Sequence, residues 1–166
     1  MKNQKGFTLV EIVIYIGMLG IILSNFVLFG ININNIRKKT TIINNVQENN
    51  RSIINLLNDT VRRSAGVIIP AKSQISTSSL ALNMTGTSQA TTTFSLIGND
   101  LYMIVGSQSP IKLNHNAVLD SIYLINTAGV DDRDHLIINI TSRNISDDSI
   151  DFTYSQTVEA AISVRR

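Results

Sequence analysis

The sequence predicts an α+β protein, with one long amino-terminal helix packed on an antiparallel β-sheet head. Three observations carry this. An apolar tract interrupted by a single carboxylate runs over residues 7–31. An amphipathic stretch without Pro continues it to residue 65. From residue 92 onward, short β-type runs alternate with turn signals.

Composition narrows the function classes. The chain has 166 residues, 43 % of them hydrophobic, which suits one cored domain with an appendage. Charged residues are 16 % and aromatics 5 %, and the Lys and Arg are scattered. A nucleic-acid surface would gather them on one face. With no Cys, disulfides, thiolate metal sites and thiol catalysis are excluded. Asn (18) and Ile (26) exceed a quarter of the chain, which fits an AT-rich coding sequence as well as any function.

Residues 1–6, MKNQKG, are short and basic through Lys2 and Lys5. The tract over residues 7–31 would be roughly 37 Å long as a helix at about 1.5 Å per residue. A bilayer core is about 30 Å, so the tract can span it with modest tilt. It is too long for a secretory signal, and no A-x-A cleavage site follows it. A plain membrane anchor fits the length but leaves Glu11 unexplained, because an ionisable group in a membrane helix is costly and marks function by default. Glu11 does suit the positive end of its own helix. Lys2 and Lys5 favour a cytoplasmic amino terminus, while Arg37, Lys38 and Lys39 beyond the tract pull the other way.

The order of basic leader, Gly6, Phe7, Thr8-Leu9-Val10-Glu11 and apolar tract resembles the type IV prepilin signal. The chain thereby resembles the type IV pilin and pseudopilin superfamily. That resemblance implies a prepilin peptidase that cuts between Gly6 and Phe7 on the cytoplasmic side and methylates the new Phe7 amine. It implies that Glu11, fifth after the cut, pairs with the Phe7 amine of a neighbouring subunit and sets the register of assembly. The implied partners are other pilin or pseudopilin subunits, the peptidase and an inner-membrane assembly platform. It also decides the topology: amino terminus in the cytoplasm, single pass, head outside. Removing residues 1–6 takes away Lys2 and Lys5, so the formal charge of +2 belongs to the leader. Gly17 and Gly20 either allow close helix packing or mark where the helix loosens in a filament. Leu28 stands where many major pilins carry Pro.

Residues 32–66 form the amphipathic half of the same helix. Ile43, Val46, Ile53, Ile54, Leu57, Val61 and Ala65 recur at spacings of three and four, with Asn50 in the gap. Gly66 reads as the stop and Pro70 follows it. The pattern over residues 45–70, with Asp59 followed by Arg62 or Arg63, resembles the helix end of J-type minor pseudopilins and related minor pilins.

Residues 67–166 form the head. Strands are expected at 80–84, 92–97, 101–105, 111–113, 118–125, 136–141, 150–154 and 161–164, in a sheet of about six. Gly98-Asn99 signals a hairpin. The order of these runs resembles the minor pilin head, with Met103 where many relatives carry Arg.

Metal and catalytic candidates are weak. Asp131, Asp132 and Asp134 share one loop; Asp147, Ser149 and Asp151 begin like a calcium loop. Phe152 stands where that loop needs Gly, and Val158 where it needs Glu. Solvated turns without a metal or cofactor are the expectation. His115 and His135 lie on different elements with no nucleophile motif, so no enzyme is expected. The function expected is a structural subunit, a minor pilin or minor pseudopilin, of a type IV pilus or type II secretion filament. The alternatives are a pilus-tip subunit whose head binds DNA or a surface, and a plain membrane-anchored β domain.

Overall fold

The computed structural model describes residues 8–84, 91–128, 134–145 and 152–164. The chain divides into two units, residues 1–40 and 41–166, and helix α1 (Leu9–Arg63) contributes to both.

In the first unit α1 is apolar and exposed. Its most hydrophobic window is long and apolar enough to cross a membrane, and none of that window is buried. Leu9, Ile16, Ile21 and Phe26 each expose more than 60 % of their surface. A helix apolar on every side has no core-facing stripe to hide, and hydrocarbon or other helices are what cover such a surface.

In the second unit the helix is amphipathic. Val46, Asn49, Asn50, Ile53, Leu57 and Val61 are buried along one stripe. Each fully buried aliphatic side chain contributes about 1.5–3 kcal/mol. The apolar positions agree with the sequence spacing except Ala65, which is exposed because it has left the helix. The helix ends at Arg63, and β1 (Ser64–Ile69) follows without a loop. Ser64 Oγ donates to the Val61 carbonyl at 2.7 Å, satisfying one of the carbonyls a helix end leaves open. Arg62 and Arg63 in the last turn suit the negative end of the helix. The expected stop at Gly66 is therefore misplaced. Gly66 lies within β1, where an added Cβ would stand 3.3 Å from Asp134 Oδ2.

The remaining strands are β2 (Ile75–Ser76), β3 (Ser79–Met84), β4 (Thr92–Ile97), β5 (Asp100–Val105), β6 (Ile111–Lys112), β7 (Ala117–Ala128), β8 (Asp134–Asn144) and β9 (Ser155–Ser163). They form two antiparallel sheets, β1-β3-β4-β5-β6 and β2-β7-β8-β9, where one sheet of about six strands was expected. Gly98-Asn99 closes the β4–β5 hairpin as expected, with Gly98 at φ 63°. Of the strand expected at 150–154, residues 150 and 151 lie outside the described residues and 152–154 are not strand, while the strand expected at 161–164 is the end of a longer one, β9. The core joins helix and sheets: Ile53 and Leu57 of α1, Leu82 and Phe94 of the first sheet, Leu124 and Ile138 of the second all lie in one buried cluster.

Two stitches hold the sheets together where the chain crosses from β6 to β7. Asn99, at the hairpin tip, accepts from Leu119 N–H and donates its amide to Leu119 O, both at 3.1 Å. Asn114, on the crossover itself, bonds backbone groups of Asn99, Leu101 and Ala117. Nearby, Asp100 Oδ1 accepts from Lys112 Nζ at 2.8 Å and from Asn114 Nδ2 at 3.1 Å. The Lys112 hydrogen bond, ahead of the opposing effect of burial, holds the Asp100 carboxyl below its ordinary value. A carboxyl lowered in the folded state contributes stability above its unfolded pKa and loses it as pH falls through the folded one. The stability difference between wild type and Asp100→Asn should therefore shrink below about pH 4. Urea titrations across that range check it; a difference constant with pH would refute the pairing.

Candidate functional site

The candidate site is the start of the apolar helix. Thr8 stands at the N-cap of α1 and Glu11 is the third residue inside it. The two side chains cap reciprocally. Glu11 N–H donates to Thr8 Oγ1 at 3.3 Å, and Thr8 N–H donates to Glu11 Oε2 at 3.4 Å. This is the Thr-x-x-Glu capping box, in which each side chain satisfies a backbone N–H that the helix leaves open. The distances are long for hydrogen bonds, so the carboxylate is held loosely. The Thr8 and Glu11 side chains are exposed. Thr8 as cap partner of Glu11 is a role that sequence reasoning missed, although the Thr-x-x-Glu spacing was there to be read.

Further along the tract the polar groups turn inward on the backbone. Ser24 Oγ and Asn25 Nδ2 both donate to the Ile21 carbonyl, at 2.9 and 2.7 Å. That removes part of the cost of placing them in hydrocarbon. A Cβ added to Gly17 or Gly20 would meet nothing within 4 Å, so among the described residues no contact requires a glycine at either position.

Gly6 and Phe7, the residues implied in processing, lie outside the described residues. So do Asp131, Asp132, Asp147, Ser149 and Asp151 of the calcium candidates. Asp134 is described, and both its carboxylate oxygens are engaged. Oδ2 accepts from Val67 N–H at 2.9 Å and Oδ1 from the Asn126 amide at 3.1 Å. Its work there is to tie β1 to the start of β8, a role the sequence did not reveal because Val67 is 67 residues away. Among the described residues no group of three His, Asp or Glu side chains is placed to hold a metal ion. The structure keeps the two histidines apart in their contacts: His115 Nδ1 meets Leu113 O at 3.2 Å and His135 Nδ1 meets Ser163 Oγ at 2.7 Å.

The polar gap in the helix stripe also resolves. Asn50 is buried, accepts from Ser142 Oγ at 2.6 Å and donates to Gln156 Oε1 at 3.3 Å. One amide thus fixes the helix on β8 and β9.

A long apolar amino-terminal helix followed by antiparallel sheets is a pilin-like layout. Residues 1–24 match the family model described as the prokaryotic N-terminal methylation motif. The chain therefore carries the type IV pilin signal, and its apolar helix and that signal together fit a membrane-anchored protein. No curated protein and no solved structure matches the chain.

Proposed function

We propose that this chain is a structural subunit, a minor pilin or minor pseudopilin, of a filament of the type IV pilus or type II secretion kind. It is made as a precursor held in the inner membrane with its head outside the cytoplasm. A prepilin peptidase cuts it after Gly6 and methylates Phe7, and an assembly platform then moves it into the filament. The observation that carries this reading is the methylation motif set on an exposed, membrane-length helix. Its role is mechanical, and it needs no cofactor or calcium.

The energetic logic is an exchange of surroundings. In the membrane, Glu11 is held by Thr8 at the positive end of its own helix. In a filament, lipid contacts give way to helix–helix contacts, and an unpaired carboxylate becomes costly. The methylated Phe7 amine of a neighbour supplies the opposite charge and fixes the axial register.

The mass of the mature amino terminus tests the reading. The chain recovered from membranes of cells that express a prepilin peptidase should begin at N-methyl-Phe7. An intact Met1 would overturn it and leave a plain membrane-anchored β domain.

A further inference from the structure

The four-stranded sheet ends on β9, and among the described residues β9 is the long strand whose outer edge has no partner. The other edge strands are β2 and β6, two residues each, and β1, whose register shifts twice. Val67 on β1 hands its N–H to Asp134. β7 shares its outer edge with β2 and with Asn99. β5 is closed by β6 and by the Leu113 N–H on Leu101 O.

The outward-facing groups of β9 can be assigned. Asn144 N–H donates to Tyr154 O, and Val164 N–H donates to Asp134 O. Bonded and non-bonded pairs alternate along an antiparallel ladder, so the even-numbered residues of β9 face β8. Ser155, Thr157, Glu159, Ala161 and Ser163 then turn their N–H and C=O groups outward. The side-chain contacts agree. Thr141 meets Thr157 and His135 meets Ser163, as expected for the non-bonded pairs, whose side chains lie closer.

This edge carries few of the usual protections. Strands exposed at a sheet edge are commonly blunted by Lys, Pro or a bulge. β9 contains neither residue, and its register runs from His135↔Ser163 to Arg143↔Ser155 without a shift. The β1–β3 and β7–β8 ladders both shift.

Beside β9 lies a groove of about 300 Å³ between the helix and the strand, with Ile54 and Val158 lining it and Gln47, Arg51 and Asn55 along the helix side. Arg51 is exposed and makes no hydrogen bond or ion pair among the described residues. We propose that the outer edge of β9 accepts an extended segment of a partner protein as an added strand, and that this segment carries a carboxylate on its groove side to meet Arg51. Backbone pairing supplies affinity in strand addition, and the alternate side chains supply specificity. A second copy pairing through its own β9 fits less well. The helix-facing side of that strand presents Gln156, Val158 and Ala160, none of which is acidic. The inference concerns the head alone and does not depend on processing or filament assembly.

Amide hydrogen exchange on the full-length chain in detergent micelles tests it. The probes are a short synthetic strand of alternating Thr and Val with one central Asp, the same strand with Lys for Asp, and a peptide of the β9 sequence. Without peptide, Thr157, Glu159 and Ala161 should exchange fast and Gln156, Val158 and Ala160 slowly. Millimolar Asp strand should slow the odd-numbered amides about tenfold or more. The Lys strand and the β9 peptide should do so far less, and Arg51→Ala should bring the Asp strand down to the level of the Lys strand. Odd-numbered amides protected before any peptide is added, or unmoved by the Asp strand, would overturn the proposal. Equal protection by the Lys strand, or no effect of Arg51→Ala, would remove the acidic partner. A β9 peptide as effective as the Asp strand would make the occupant a second copy.

Discussion

Glu11→Ala should leave cleavage after Gly6 intact and lower incorporation into filaments by at least about tenfold, the equivalent of 1.4 kcal/mol in the assembly equilibrium. The same carboxylate has two partners to lose. One is Thr8, and loss of a helix cap costs about 1 kcal/mol. The other, on the proposed reading, is the amine of a neighbouring Phe7 inside an apolar bundle. Removing one member of a buried pair costs about 3–5 kcal/mol, because the remaining charge stays uncompensated. The second loss is the larger, so assembly should suffer more than helix formation. Glu11→Gln separates them. Gln serves the capping box as well as Glu does, but it carries no charge. If pairing sets the effect, Glu11→Gln assembles as poorly as Glu11→Ala. Wild-type assembly by Glu11→Gln would assign Glu11 to capping alone. Wild-type assembly by Glu11→Ala would remove it from register altogether. Immunoblots of sheared filaments against membrane fractions measure both, with the processed mass confirming cleavage.

The apolar tract and its signal were legible because their meaning is local. A long uncharged run has few physical uses, and the motif is contiguous. The second half of the helix was legible through its spacing, and Asn50 showed as an interruption in it. What Asn50 does was not legible, since its partners Ser142 and Gln156 lie 92 and 106 residues away. The same bond explains why β9 was misread. Gln156, Val158, Ala160 and Ile162 form its inward side, and a polar residue opening that series hides the alternation. Only residues 64–66 of β1 were read as the helix end, and 67–69 were given no element, because a short apolar run does not distinguish helix from strand by period. Its pairing with β3 decides the matter. Asp134 looked like one more loop acid beside Asp131 and Asp132, and only the folded chain brings Val67 and Asn126 to it. Asparagine, whose abundance fitted a coding bias, supplies buried polar ties of this head at positions 50, 114, 126 and 144, beside those of Ser64 and Ser142.

Asn114 tests that use most severely. The residue is 1 % exposed. Oδ1 accepts from Leu101 N–H at 2.8 Å, and Nδ2 lies within 3.1 Å of Asn99 O, Ala117 O and Asp100 Oδ1. An amide has two N–H donors, so it serves these three acceptors unequally. Asn114→Ala would leave the buried Leu101 N–H and the Ala117 carbonyl without partners. Each orphaned buried group costs about 1–3 kcal/mol, so the variant should lose about 3–5 kcal/mol, a large share of the stability of a small head. Asn116, two residues on, is exposed, and Asn116→Ala should stay within about 0.5 kcal/mol of wild type. Asn114→Asp refines the test. It keeps an acceptor for Leu101 N–H but turns a carboxylate toward two carbonyls and Asp100. Its pKa is then raised in the folded state, so its deficit against wild type should ease as pH falls and the carboxyl gains a proton it can donate. Urea unfolding of the full chain in micelles, followed by tyrosine fluorescence, reads all three. A loss below about 1 kcal/mol for Asn114→Ala would mean that water replaces the amide at no cost. The Asn99–Leu119 bonds, and not Asn114, would then be what joins the two sheets.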